Sequence, residues 1–168
     1  MLDVAAGTGA LTLAAARTGA HVLATDFSPG MVARIAAANL PNVEASVMDG
    51  QALDLADGCF DAVFSIFGVI MFPDWRKGLS EMGRVTRPGG PIAVFLKQRA
   101  PDAEAERMVP YEFLEDEAGN RFYAYYTPDE ARALFEGAGA EILDVAAFPG
   151  TRKSDPMGWV TLLARKPA

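Results

Sequence analysis

An α/β protein with a doubly wound, mostly parallel sheet is what this sequence predicts, and three observations carry the prediction. Short apolar strands alternate with helical stretches along the chain. The first strand runs straight into a glycine turn, Gly7-Thr8-Gly9. Acidic residues stand on or just after the first three strands: Asp3, Asp26 and Asp49. Parallel strands in such a sheet bring their carboxyl ends to one crevice, where ligands bind, so the three acids are expected to converge there.

The elements follow in order. Met1 to Ala5 reads as a strand at the short end of the usual range. Leu11, Leu13 and the alanines around them read as a helix. His21 to Thr25 is a second apolar strand ending in Asp26, and Ser28-Pro29 opens a helix as N-cap and first-turn proline, with Met31, Val32 and Ile35 on its inner face. The third strand, Val43 to Met48, ends in Asp49-Gly50-Gln51. Phe60 to Ile66 reads as a buried fourth strand, and Pro73 to Arg87 as a helix whose Trp75, Leu79, Met82 and Val85 share one face. Pro88-Gly89-Gly90 stops that helix and turns the chain into the fifth strand, Ile92 to Lys97. Thr127-Pro128-Asp129-Glu130 is a capping box with proline in the first turn, predicting a helix to about Gly137. Strands at Ile142 to Phe148 and Trp159 to Lys166 close the chain. Their link is too short for a crossover helix, so they are expected to pair antiparallel.

Composition points to one globular domain spanning 1–168. With 168 residues, 51% hydrophobic and 22% charged, the chain can bury a substantial core. A single cysteine, Cys59, makes no internal disulfide, and one histidine leaves no metal-ligand cluster, so no metal is expected. The apolar start is broken by glycines too early for a signal peptide or a membrane span, which favours a soluble, cytoplasmic protein without a membrane partner. Net charge of −7 disfavours a nucleic-acid partner.

Residue chemistry narrows the ligand. Without Cβ atoms, Gly7 and Gly9 let the backbone bend sharply against an adenosine-bearing ligand. Thr12 stands where the G-x-G-x-x-G dinucleotide fingerprint has its third glycine, which lowers the standing of a nicotinamide or flavin cofactor. A carboxylate at the end of a second parallel strand can accept from both hydroxyls of a ribose, the role assigned to Asp26, against the plainer one of a carboxylate starting a helix. Asp49, followed by glycine, reads as an adenine acceptor or as a turn residue. Phe27 and Met31 read as adenine neighbours or as core.

Taken together, DVAAGTGALTLAAA, ATDFSPGMV, VMDGQALDLADGCFDAVFSIFGVIMF, EMGRVTRPGG and YYTPDEARALFEGAGAEILDV resemble, in order, the motifs of class I S-adenosylmethionine-dependent methyltransferases, in the branch of small-molecule and quinone-biosynthesis enzymes. The resemblance covers almost the whole chain. It implies a Rossmann-like sheet of seven strands in the order 3-2-1-4-5-7-6, with an antiparallel C-terminal hairpin, and S-adenosyl-L-methionine as cofactor. By the same resemblance Asp3 orders the loop and the methionine ammonium, and Ala5, Gly7 and Gly9 lie against the methionine and ribose. Asp26 binds the ribose hydroxyls, and Phe27 and Met31 flank the adenine. Asp49 takes the adenine amino group with the Gly50 and Gln51 backbone beside it, while Phe64 and Ser65 border the methionine and the reacting methyl. Ala5 departs from the family's frequent glycine, a mild change of one methyl group.

The expected function is methyl transfer to a small-molecule acceptor by in-line displacement, driven by proximity and desolvation; no catalytic base is assigned. His21 opens the second strand away from the carboxyl ends and reads as a surface residue. Residues 98–126, with Tyr111, Glu112, Phe113, Tyr123, Tyr125 and Tyr126, read as a substrate-facing insertion whose aromatics line an acceptor pocket or anchor a lid. Ser65-Ile66-Phe67-Gly68 lacks the Asn/Asp-Pro-Pro-Tyr/Phe signature of similar enzymes that methylate nucleic-acid or protein amines, favouring an apolar or aromatic acceptor. Two other readings stand beside this one: a cofactor-binding relative with weak or no activity, and a nicotinamide-dependent oxidoreductase. Because relatives carry helices ahead of the glycine loop, the chain as given is expected to have an open cleft, to bind cofactor weakly, and either to form a homo-oligomer over that face or to require another polypeptide for full activity.

Overall fold

Leu2-Asp3-Val4 make up β1, three residues with no exposed side chain, and every other parallel strand is set out from it. The computed structural model describes residues 1–99, 104–111, 119–150 and 158–168. The chain continues through α1 (Ala10–Ala16), β2 (Val22–Asp26), α2 (Pro29–Ala36), β3 (Val43–Val47) and β4 (Val63–Ile66). A 3-10 turn (Val69–Met71) precedes α3 (Trp75–Val85), and β5 (Pro91–Gln98), β6 (Glu106–Tyr111), β7 (Gly119–Tyr126), α4 (Pro128–Gly137), β8 (Glu141–Phe148) and β9 (Trp159–Arg165) complete it.

The sheet runs β3-β2-β1-β4-β5-β9-β8, parallel as far as β5, with β9 antiparallel to β5 and β8 antiparallel to β9. This is the predicted topology, with β8 and β9 as the C-terminal hairpin. The strand count differs. An additional antiparallel hairpin, β6–β7, lies inside the segment read as an insertion. β7 joins β5 in parallel at Lys97↔Tyr125 and Gln98↔Tyr126, while β9 holds the other edge of Lys97. It therefore occupies the edge of β5 that β4 vacates after Ile66, and it rests on the 3-10 turn.

Alternation separates the two faces. Leu2, Val4, Val63, Ile92, Val94, Leu96, Val160, Leu162 and Ala164 form one core with Leu79, Met82 and Val85 of α3 and Ala131 and Phe135 of α4. On the opposite face Thr12 of α1 reaches Asp3, and Ile35 of α2 meets Gly9. The Thr127–Glu130 capping box is present as predicted. Ser28 sits at the N-cap of α2, but its side chain makes no capping bond. Tyr125 and Tyr126 are buried, and the Tyr126 ring meets Trp75 edge to face at 5.5 Å, so these two anchor the hairpin. The side chains of Tyr111 and Tyr123, and all of Glu112 and Phe113, lie outside the described residues. Among the described residues no helix is long and apolar enough to cross a membrane, and no group of three metal-ligating side chains occurs.

The β3 to β4 crossover contains no helix, and Arg84 holds it in place. Its guanidinium donates to the carbonyls of Leu53 (2.9 Å) and Leu55 (2.7 Å) and to Glu81 and Asp57. Removing that charge leaves two carbonyls without their donor and Glu81 with only the Leu53 N–H, at about 1.5–3 kcal/mol per charged bond before water compensates. Arg84→Met is therefore expected to lower Tm by about 5 °C. Asp57→Asn, on a side chain 80% exposed, is expected to shift Tm by under about 2 °C. Thermal melts of both variants check the pair, and equal losses would contradict this ranking.

Candidate functional site

The loop after β1 is shaped by three left-handed residues: Ala5 (φ 54°), Gly7 (φ 57°) and Gly9 (φ 83°). A Cβ at Gly7 would meet nothing within 4 Å, so its backbone alone calls for glycine, whereas one at Gly9 would lie 2.9 Å from Ile35. Ala5 accepts the left-handed conformation despite its Cβ, so its departure from glycine adds backbone strain as well as a methyl group. Ala6 N donates to Thr25 O at 2.9 Å, tying the loop to β2.

Asp26 ends β2 beneath this loop and is 6% exposed. Its Oδ2 accepts from Gly7 N at 2.8 Å and its Oδ1 from Ser28 N at 2.9 Å. One carboxylate therefore fixes both the glycine loop and the start of α2. Each oxygen retains a lone pair, which matches the two hydroxyls of a ribose. Phe27, the next residue, is 76% exposed, which removes the core reading for its ring. Met31 is half-buried one turn into α2.

Asp3 lies lower than the sequence suggested. It is 1% exposed, and Thr12, also buried, donates to its Oδ2 at 2.6 Å. Burial pushes the Asp3 carboxyl up to about 6; the Thr12 hydroxyl and backbone oppose the shift and the nearby Asp26 charge adds to it. Asp3 and Asp26 are thus close enough to interact, one under the loop and one at its rim. Asp49 is exposed; its Oδ1 accepts from Gln51 N (2.9 Å) and Gln51 Nε2 (3.1 Å). Met48 N bonds to Asp26 O, and Asp26 is in register with Val47, so Asp49 lies two residues past the end of β2. Gln51 Oε1 accepts from Asp74 N ahead of α3. Gly50 is buried where a Cβ would meet Phe72 and Val4, so it serves the floor of the crevice by packing.

At β4, Phe64 pairs with Asp3 in the body of the strand, and Ser65 is buried with its hydroxyl donating to Val4 O at 2.9 Å. The residue at the strand's carboxyl end is Phe67, which sequence reasoning passed over. Its φ of 65° is an outlier for a bulky residue, and its ring packs on Trp159 at 4.2 Å between centroids. Lys97, almost fully buried, holds its ammonium 3.8 Å from the Trp159 ring centroid. Thr12 was missed as well; a lone polar residue in the apolar run ALTLAAA was the available signal. His21 is exposed, as expected.

Residues 1–90, which contain the loop, Asp26, Asp49 and β4, match the family model described as "Methyltransferase domain". The chain belongs to the methyltransferase-domain family. A demethylmenaquinone methyltransferase of Corynebacterium efficiens is 47% identical over 94 residues, 56% of this chain and 40% of that relative, so the match spans less than half the relative's length. The fold similarity extends beyond residue 90 over almost the whole chain. A Burkholderia thailandensis 1,6-didemethyltoxoflavin-N1-methyltransferase, solved with bound 1,6-didemethyltoxoflavin and S-adenosylhomocysteine, covers 99% of this chain and 70% of its own, with a TM-score of 0.78 at 21% identity. The [4+2]-cyclase SpnF covers 99% and 74%, with a TM-score of 0.82 at 21% identity. A cyclase among the neighbours means that the fold by itself does not carry the reaction.

Proposed function

We propose that this chain binds S-adenosyl-L-methionine across the carboxyl ends of β1, β2 and β3, and transfers its methyl group to a small apolar or aromatic acceptor beside β4 and β5. The observation that carries the reading is Asp26, fixed by two backbone N–H groups at the lip of the glycine loop with one lone pair per oxygen left over. Asp26 would hold the ribose, the exposed Phe27 ring and Met31 would flank the adenine, and Asp49 with the Gly50 and Gln51 backbone would meet its amino edge. Ala5, Gly7 and Gly9 would lie against the methionyl half, under which the buried Asp3 supplies negative charge. Phe64 and Ser65 would border the methionine and the reacting methyl from within β4, and Phe67 would close that side at the strand's end. When bound, the cofactor supplies an electrophilic methyl on sulfur. The chain's own part is to align the acceptor with it and to exclude water, and the apolar wall of Phe67 and Trp159 suits that task.

Residues 1–168 act in this reading as one cytoplasmic domain whose partner is a small molecule, with quinol-like aromatics as the first acceptor class to try. The nicotinamide alternative fares worse, because Thr12 fills the third-glycine position and is committed to Asp3. Thermal shift separates the two. S-adenosylhomocysteine at about 100 times its Kd is expected to stabilise the protein by about 2.7 kcal/mol, or roughly 5–10 °C, while NAD and NADP have no effect. Stabilisation by NAD alone would sink the proposal.

A further inference from the structure

Ala5 and Gly68 lie at the carboxyl ends of adjacent strands, β1 and β4, and each restricts what the other can be. Gly68 has ordinary right-handed helical angles (φ −69°, ψ −50°), so its backbone does not call for glycine. Space does. A Cβ added there would fall 2.4 Å from the Ala5 Cβ, 2.8 Å from Ser65 Oγ and 3.1 Å from Val4 O. The Ala5 methyl is aimed at that spot because Ala5 is left-handed. Behind Gly68 the chain enters the 3-10 turn, with Val69 and Ile70 fully buried and β7 resting on it. Ser65 Oγ, donating to Val4 O, ties the same two strand ends together from below.

We infer that Ala5 and Gly68 act as a positioning pair: the Ala5 methyl seated over Gly68 sets the glycine loop against the end of β4, and with it the seat of the cofactor's methionyl half. The inference rests on the cofactor site proposed above. It also gives Ala5, the one departure from the family's frequent glycine, a function in this chain. Loop and 3-10 turn then share one rigid contact, so the wall next to β7 and the cofactor loop move as a unit.

The test is a double-mutant cycle of Ala5→Gly, Gly68→Ala and both together, read by thermal melting and by calorimetric titration with S-adenosylhomocysteine. Ala5→Gly alone is expected to shift Tm by under about 2 °C, because relief of the positive φ offsets the gain in chain freedom. Gly68→Ala is expected to lower Tm by about 5 °C, as overpacking does, and to weaken S-adenosylhomocysteine by at least about fivefold. The double variant is expected to recover at least about half of both losses, the remainder reflecting Ser65 Oγ and Val4 O. Recovery of folded protein by the double variant is the same rescue should Gly68→Ala fail to fold. A Tm rescue with unchanged affinity throughout would make the pair structural only and overturn the inference, as would additive losses. Failure of the unsubstituted chain to bind S-adenosylhomocysteine would remove the cofactor reading instead, with the melting cycle still deciding whether the two residues are coupled.

Discussion

Replacing Asp26 with alanine is expected to weaken S-adenosylhomocysteine by at least about tenfold, and up to about a hundredfold, in a protein that still folds. Two losses add. The ribose hydroxyls lose a charged acceptor, at about 1.5–3 kcal/mol for each bond. Gly7 N and Ser28 N lose the carboxylate that aligns them, at 2.8 and 2.9 Å, so the loop and the start of α2 are no longer held in register. Stability is expected to change less than affinity. Both N–H groups belong to half-buried residues that water can reach, and removing the Asp26 charge relieves its repulsion of Asp3. Asp26→Asn is expected to do nearly as badly, because an amide presents one acceptor and one donor to two N–H donors. Calorimetric titration of the folded variants decides the matter, and unchanged affinity would place the ligand elsewhere.

Much of the fold was legible because the strands are short, apolar and punctuated. Gly7-Thr8-Gly9, Ser28-Pro29, Pro88-Gly89-Gly90 and the Thr127 capping box each mark an element boundary with its own local chemistry, and the structure places boundaries at all four. The β8–β9 pairing followed from a link too short to cross the sheet. The β6–β7 hairpin was not legible. Pro110 interrupts one strand and Gly119-Asn120 opens the other, which are weak strand signals, and β7 is fixed by an edge of β5 that only the early end of β4 makes available.

In the site, residue types were easier to read than depth. Asp3 and Asp26 are both acids on neighbouring strands, yet one is sealed under α1 by Thr12 and the other stands at the rim, a difference that depends on which face each helix covers. Left-handed Ala5 and Phe67 were out of reach for a similar reason. Positive φ is signalled locally by glycine or asparagine, whereas here the surrounding packing imposes it on residues that disfavour it.

The depth of Asp3 leads to a large effect on stability with pH. A carboxyl at about 6 in the folded chain and at its ordinary value of 3.8 when unfolded keeps its proton longer in the folded state. Stability from this group is then fully present below about pH 4 and is lost as pH rises through 6, a total of about 3 kcal/mol. Asp3→Asn removes the titration. Whatever the amide costs or gains beside Thr12, that term is the same at every pH, so the variant's stability relative to the parent should rise by about 2–2.5 kcal/mol between pH 4 and pH 7. Urea melts of both proteins at pH 4, 5, 6 and 7 measure the difference, and parallel curves would show that Asp3 titrates normally. An ionised carboxylate retained at such expense under the loop fits a ligand that brings a positive charge. S-adenosylmethionine carries an ammonium and a sulfonium, so its affinity for the parent should fall as pH drops below about 6, and Asp3→Asn should lose affinity at pH 7. Equal affinity of parent and Asp3→Asn at pH 7 would mean that the buried charge serves the loop alone.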